Sequence, residues 1–512
     1  MVGKTQDEMG MSELQLALFP VHSTEMVKFT LMSAMMFFTI FVFALLRTIK
    51  DPMVAGGTGS SMEVISFLKA YLVTPAAIVV SILYMRLRKS VDLQRSYNII
   101  VGIFLVFFVL YGFYLKPNQA IFTPSDATIL SLQKTMPMLK WFFVIYQRWM
   151  DAIFYVFAEL WGTLMLSVLF WQFANDNINT SQSMRFYPLF IMLSNAALIL
   201  VGKFVKYYVT ASVDDKINID IAMTAITVCG ILLAAVFYVL NQYVLPVDVA
   251  VATADAEIVS KKPKKKKLSF MESLGVLAKS EYVLYIALIV LAYGATINLF
   301  EQTWKSQVKL MFPTEKAMAN FYADYMEYAG YATIVMNFLS KGVIRRLGWL
   351  VGALVTPIAC GVCGSLFYVF MLSQDSIMQL LQLDQASLSA MTMAVYFGGF
   401  GVLMSKSAKY CFFDPTKEQV YIPLDMDLRT NGKAAADGVC GRLGKSAGAW
   451  IISSLIMVTG STLQDLSAPL AVLVIILSVF WLFSVVRLQG LYSQQLRLRE
   501  QEARLAGEGG LA

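Results

Sequence analysis

Of 512 residues, 58% are hydrophobic and only 15% are charged, too few charges to wrap a water-soluble globule of this size. The apolar runs are long enough for helices and lack the repeated short alternations of an outer-membrane barrel, so the composition specifies an all-α polytopic membrane protein. The single histidine, His22, excludes a multi-histidine metal centre and a histidine-based catalytic triad.

Taken in chain order, the hydropathy pattern predicts twelve spans at 27–46, 62–85, 98–115, 150–173, 186–206, 220–245, 280–300, 325–343, 347–372, 388–405, 446–462 and 468–487. The first run closes in RTIKD (47–51), with Arg47 and Lys50 on roughly one helical face. Such cations at a helix end either snorkel to headgroups or reach into a polar cavity. Pro52 disfavours helical geometry at Asp51, which predicts an end or bend near Lys50. WFFVIYQRWM (141–150) mixes aromatic and polar residues as an interfacial segment does before it enters the membrane.

Loops at 86–95 and 341–346 and the tail from Arg487 are rich in Arg and Lys, and KKPKKKK (261–267) joins them on the same side of a twelve-span chain. The ninth-to-tenth connection, on the other side, carries Asp375 and Asp384 without Lys or Arg. The positive-inside rule therefore places both termini and the central loop in the cytoplasm. The expected organisation is a cytoplasmic segment 1–26, a six-helix half 27–248, a basic linker 249–279, a second six-helix half 280–487 and a cytoplasmic tail 488–512. Anionic lipid headgroups are the expected counterions of the lysine run, which has nothing to read the shape or bases of a nucleic acid.

Several chemistries find no support. CGVC (360–363) has thiol-pair spacing but lies in an apolar span without a second pair, and Cys229, Cys411 and Cys440 make no ligand spacing. GRLGKSAG (441–448) ends like a phosphate-binding loop, yet Val439 stands where the first glycine belongs and no buried strand precedes it. No metal, cofactor, hydrolytic pump or enzyme activity is expected.

What remains are ionisable groups inside apolar runs, where each costs roughly 2.5–3.5 kcal/mol on insertion scales and so faces protein or a watery cavity. Glu159 stands among apolar neighbours in FAELWGTLMLSVLFW (157–171), and Glu301 and Lys305 sit four residues apart at the close of the seventh span. Each has a structural alternative, an internal salt bridge or a self-neutralising pair.

The stretches RTIKD (47–51), AELWGT (158–163), NLFEQTWK (298–305), FDPTKEQVYIPLD (413–425) and GKAAADGVCGRLGKSAG (432–448) resemble the ATP/ADP translocases of obligate intracellular bacteria and plastids. The resemblance covers nearly the whole chain and implies twelve helices similar to the major facilitator fold, with important intramembrane charges at Lys50, Glu159, Glu301 and Lys445. The family often shows GKSGG where this chain has Ala447 in GKSAG. The absence of a long Ser/Arg-rich leader points to a bacterial inner membrane. ATP and ADP are then the expected substrates, exchanged by an antiporter that imports host ATP. Arg47, Lys50, Lys305 and Lys445 are the phosphate-binding candidates. Glu159 and Glu301 are the gating or coupling candidates, and Tyr155 or Phe157 could stack on adenine. A proton-coupled nucleotide importer, in which Glu159 or Glu301 titrates, is the nearest alternative; a membrane scaffold docking a partner on its lysine run is a more distant one.

Overall fold

A computed structural model describes residues 19–56, 60–246, 275, 280–373 and 390–508. The lysine run 261–267 and the acidic connection with Asp375 and Asp384 lie outside the described residues.

The described chain is all helical in its regular structure. Its long elements are α1 (Met26–Ala55), α2 (Glu63–Ser90), α3 (Leu93–Leu115), α4 (Trp149–Asn177), α5 (Thr180–Phe204), α6 (Ile219–Val244), α7 (Glu281–Met311), α8 (Glu315–Leu372), α9 (Ala390–Ala408), α10 (Gly441–Thr459) and α11 (Ser467–Glu508). Among the described residues nine helical segments are long and apolar enough to cross a membrane. The predicted spans 388–405 and 446–462 lie on helices outside those nine, and 325–343 lies on the stretch of α8 that leads into its apolar segment Gly342–Leu372.

Local chemistry sets the helix starts. Asp92 accepts from the Arg95 N–H at 2.8 Å, Asn179 and Gln182 form a capping box, and Thr314 accepts from the Ala317 N–H at 3.2 Å. The 58 residues of α8 would run about 87 Å if straight, roughly twice a whole bilayer. They do not run straight: Gly348 has φ 83°, a conformation side chains other than hydrogen rarely accept, and the chain turns there. Ile344 consequently comes to lie against Gly352 on the far side of the corner.

Two expectations change on contact with the structure. Helix α1 does not stop at Lys50; it continues through Pro52 to Ala55, so Lys50 and Asp51 are inside the helix and buried. Pro52 is tolerated because only one backbone bond is lost near the helix end. The connection DPTKEQVYIPLD (414–425), too rich in Pro and Asp to be assumed helical, is helical over Asp414–Val420, and a second helix follows at Met426–Lys433. Pro415 occupies the first turn of the former, where its missing N–H is harmless.

Packing among the described residues falls into two large apolar clusters and a small third one at Ala408, Cys411 and Phe412. Of the large two, one is built from residues between Val21 and Leu240 with Ala319 and Ala323; the other is built mainly from residues between Tyr282 and Leu488. Indole N–H groups tie helices within each: Trp161 donates to the Thr39 carbonyl at 3.0 Å, and Trp304 to the Val395 carbonyl at 2.8 Å. Because lipid is as apolar as leucine, close packing and buried hydrogen bonds carry helix association here. Gly294 on α7 illustrates it, since a Cβ at that position would fall 2.6 Å from the backbone carbon of Gly444 on α10.

Contacts between the two regions gather toward one end, the end with residues 55–56, 60–63, 311–315 and 459–467. Thr74 meets Ser446 at 2.9 Å, Trp450 donates to the Ala70 carbonyl at 3.1 Å, and the Leu463 N–H donates to Glu63 at 2.9 Å. On the other flank Lys206 pairs with Asp324 at 2.7 Å, Thr210 donates to Asn320 at 2.5 Å, and Gly202 packs against Ala323.

Candidate functional site

The charges that the apolar runs carry converge on one place. Asp51, 1% exposed, takes Lys50 on one oxygen at 2.9 Å and Lys305 on the other at 2.5 Å. Lys50 also reaches Glu159 of α4 at 2.9 Å, and its ammonium lies 3.9 Å from the centre of the Tyr155 ring. Lys305 reaches back one turn to Glu301 at 3.2 Å. Glu301 collects two further cations, Lys406 of α9 at 2.6 Å and Arg47 of α1 at 3.5 Å. The result is an unbroken line of alternating charge, Glu159–Lys50–Asp51–Lys305–Glu301, that joins α4, α1 and α7 and ends on Arg47 and Lys406.

Helical spacing produces this arrangement. Arg47 and Lys50 are three residues apart, and Glu301 and Lys305 four, so each pair projects from one face of its helix. The stems pack on apolar neighbours while the heads meet between helices.

Exposure changes along the line. The side chain of Asp51 is 1% accessible and those of Lys50 and Lys305 are 5% and 7%, whereas Arg47 reaches 27% and Glu159 32%. The dry centre lies toward the end where the two clusters are pinned together, and the wet groups face away from it.

A small pocket adjoins the line and is walled by Arg47, Asp51, Glu301, Trp304, Lys305, Tyr322, Tyr325 and Met326. The hydroxyls of Tyr322 and Tyr325 are buried without a hydrogen-bond partner among the described residues. A buried hydroxyl left unpaired is costly, and here two of them flank a pocket whose two cations and two carboxylates balance, as donors ready for an acceptor.

The predicted residues divide into three groups. Arg47, Lys50, Lys305, Glu159 and Glu301 come together directly. Lys445 stands apart on α10: its side chain is exposed, and its electrostatic neighbours are Lys409, Glu159, Asp414 and Arg442. Tyr155 is fully buried beneath Lys50, and Phe157 stacks on Phe107 with centroids 3.7 Å apart and an 11° interplanar angle. No group of His, Cys, Asp or Glu able to hold a metal ion occurs among the described residues, and the cysteines are free thiols.

Sequence reasoning missed the two groups that complete the line. Asp51 was read only as a residue before proline, although a carboxylate following Lys50 in an apolar run carries the same insertion cost as Glu159. Lys406 in MSKSAK weakened the tenth span instead of marking a site. Nearer the polar segment 414–437, Lys409 pairs with Asp414 at 2.8 Å and Lys417 with Asp437 at 2.9 Å. Burial pushes the Asp437 carboxyl above its usual range against the pull of Lys417.

Comparison with known proteins bears on this geometry. The family described as TLC ATP/ADP transporter matches residues 4–492. ADP,ATP carrier protein 3 of Rickettsia conorii is 33% identical over 491 residues, covering 93% of this chain and 96% of the relative. ADP,ATP carrier protein 1 of Rickettsia prowazekii is 35% identical over 502 residues, covering 97% and 99%. Among solved structures, the nucleoside transporter NupG superposes with a TM-score of 0.55 at 10% identity over 90% of this chain and 99% of its own. A D-xylose-proton symporter does so with a TM-score of 0.53 at 13% identity over 91% and 97%. At such identities the likeness is one of fold.

Proposed function

The chain belongs to the TLC ATP/ADP transporter family, and from that premise we propose that the Glu159-to-Glu301 line of charge is the site through which it handles nucleotide. It is a secondary active transporter of a bacterial inner membrane, an antiporter that exchanges ATP for ADP by alternating access.

The observation that carries the site is the sharing of cations between carboxylates. Lys50 spans Asp51 and Glu159, and Lys305 spans Asp51 and Glu301. A polyphosphate entering beside them offers oxygens that replace carboxylate oxygens on the same ammonium groups, so binding exchanges one ion pair for another and leaves no buried charge bare. Arg47, Lys50, Lys305 and Lys445 bind phosphate in this reading. Glu159 and Glu301 take the cations back when nucleotide leaves, because a carboxylate facing a polyphosphate would repel it. Such a site resets without substrate only by re-forming its internal pairs, which suits an exchanger. Adenine is taken by an aromatic face of α4, at Tyr155 or Phe157, once Lys50 has turned from the ring it covers.

Twelve crossings in two six-helix halves, 27–248 and 280–487, similar to the major facilitator fold, complete the proposal. The corner at Gly348 supports it by dividing α8 into two crossings. Both termini and the lysine run are then cytoplasmic, the pinned end is periplasmic, and the wet side of the line opens to the cytoplasm to receive ADP in return for imported host ATP. Anionic headgroups cover the lysine run.

Counter-exchange in proteoliposomes tests the reading. Labelled ATP enters vesicles loaded with ADP or ATP and does not accumulate in empty ones. Accumulation in empty vesicles under a proton gradient would establish a proton-coupled importer instead.

A further inference from the structure

One cation at the site belongs to none of its ion pairs. Lys69 of α2 lies within electrostatic reach of Asp51, Glu159 and Glu301, and of the ammonium groups of Lys50 and Lys305. Yet among the described residues no carboxylate comes within 4 Å of it: those three are held by Arg47, Lys50, Lys305 and Lys406. A half-buried ammonium at membrane depth without a counter-ion is costly, and such groups mark places where a mobile charge is received.

The backbone around it is built for the position. Residues Leu68–Val73 form a π-helical turn, the widened geometry that recurs at functional sites. The Thr74 hydroxyl donates to the Lys69 carbonyl at 2.8 Å, which also accepts the Thr74 backbone N–H. The same hydroxyl meets Ser446 at 2.9 Å, and the neighbouring Ala70 carbonyl accepts from Trp450 at 3.1 Å. The turn that carries Lys69 is thus fastened to α10, across the pinned end.

Resting on the reading of this line of charge as the nucleotide site, we propose that Lys69 binds the terminal phosphate of the incoming nucleoside di- or triphosphate and sets the preference over the monophosphate. Phosphate approaching Arg47, Lys50, Lys305 or Lys406 competes with a carboxylate already in place. At Lys69 it competes with none. The first phosphate contact therefore forms at Lys69, and the added anion then draws Lys50 and Lys305 from Asp51. A monophosphate, shorter and less charged, cannot bridge Lys69 and the line together. Because the turn is fastened to α10, loading it also bears on the contact that closes this end.

Competition of ATP, ADP and AMP against labelled ADP exchange, in reconstituted Lys69→Gln, Lys69→Arg and Lys50→Gln proteins, tests the assignment. Lys69→Gln weakens ATP and ADP ten-fold or more while AMP changes little, and Lys69→Arg restores most of the loss. Wild-type ATP and ADP affinities in Lys69→Gln, with Lys50→Gln impaired, would overturn the assignment and leave the site standing. Wild-type affinities in both would overturn the site itself. Amine-directed labelling of the unmutated protein needs no variant to fold. ATP protects Lys69 and adenosine does not; equal labelling of Lys69 with and without ATP would overturn the assignment.

Discussion

Lys305 on α7 donates to Asp51 on α1 at 2.5 Å, across 254 positions of sequence, while Lys50 holds the other oxygen of the same carboxylate at 2.9 Å. One buried aspartate thereby couples the first helix of the chain to the first long helix beyond the basic linker. Both lysines also touch a glutamate, Lys50 at Glu159 and Lys305 at Glu301, so neither is committed to Asp51 alone.

Removing that carboxylate leaves two ammonium groups with fewer counter-charges in a nearly dry site. Breaking a buried pair from one side typically costs about 3–5 kcal/mol. Asp51→Asn accordingly lowers the melting temperature of the detergent-purified protein, and adding Lys305→Met recovers part of the loss. Strictly additive effects of the two substitutions, measured as a double-mutant cycle, would show that the pair is not energetically coupled.

The pinned end must open for nucleotide to leave on that side. Thr74 and Ser446 face each other at 2.9 Å across it. Cysteines at both positions, oxidised to a disulfide, stop exchange, and reduction restores it. Full exchange by the oxidised pair would mean that α2 and α10 do not separate during transport.

Helix α7 approaches α10 at Gly294, where an added Cβ would meet backbone atoms of Gly444 and Lys445 and no flexible side chain could yield. Gly294→Val pushes the helices apart at overpacking costs of about 1–3 kcal/mol. It also displaces Lys445, one of the proposed phosphate ligands. Thermal unfolding and ATP affinity both fall; an unchanged melting temperature would show that α10 moves aside freely.

How far the sequence discloses this site depends on what kind of signal each residue leaves. Glu159, Glu301 and Lys305 stand out because a charge inside an apolar run has to be explained wherever it occurs. Arg47 and Lys50 are ambiguous by the same rule, since a cation at a run's end can snorkel; only the continuation of α1 through Pro52 to Ala55 decides that Lys50 is inside. Asp51 and Lys406 were hidden by local readings, a residue before proline and a polar patch in a weak span, whose meaning lies in partners hundreds of positions away. Lys69, in SFLKAYLV inside the predicted span 62–85, carries the same mark as Glu159, but what distinguishes it, neighbours that are already paired, shows only in the fold. The helical content of 414–433 was obscured by prolines and acids that turn out to start helices, and the corner at Gly348 by a glycine that looks like many others.

ATP binding and exchange, measured separately for wild type, Lys50→Arg and Lys50→Gln, address the central claim most directly. Lys50 sits between Asp51 and Glu159 over the Tyr155 ring as a compact point charge, and a longer, planar guanidinium there keeps the charge but displaces it. Lys50→Arg keeps its attraction for polyphosphate and loses turnover. Lys50→Gln loses both, with affinity reduced about ten-fold or more for one charged contact worth roughly 1.5–3 kcal/mol. Wild-type affinity and exchange in Lys50→Gln would contradict the account, returning the line of charge to a structural role and placing the nucleotide elsewhere.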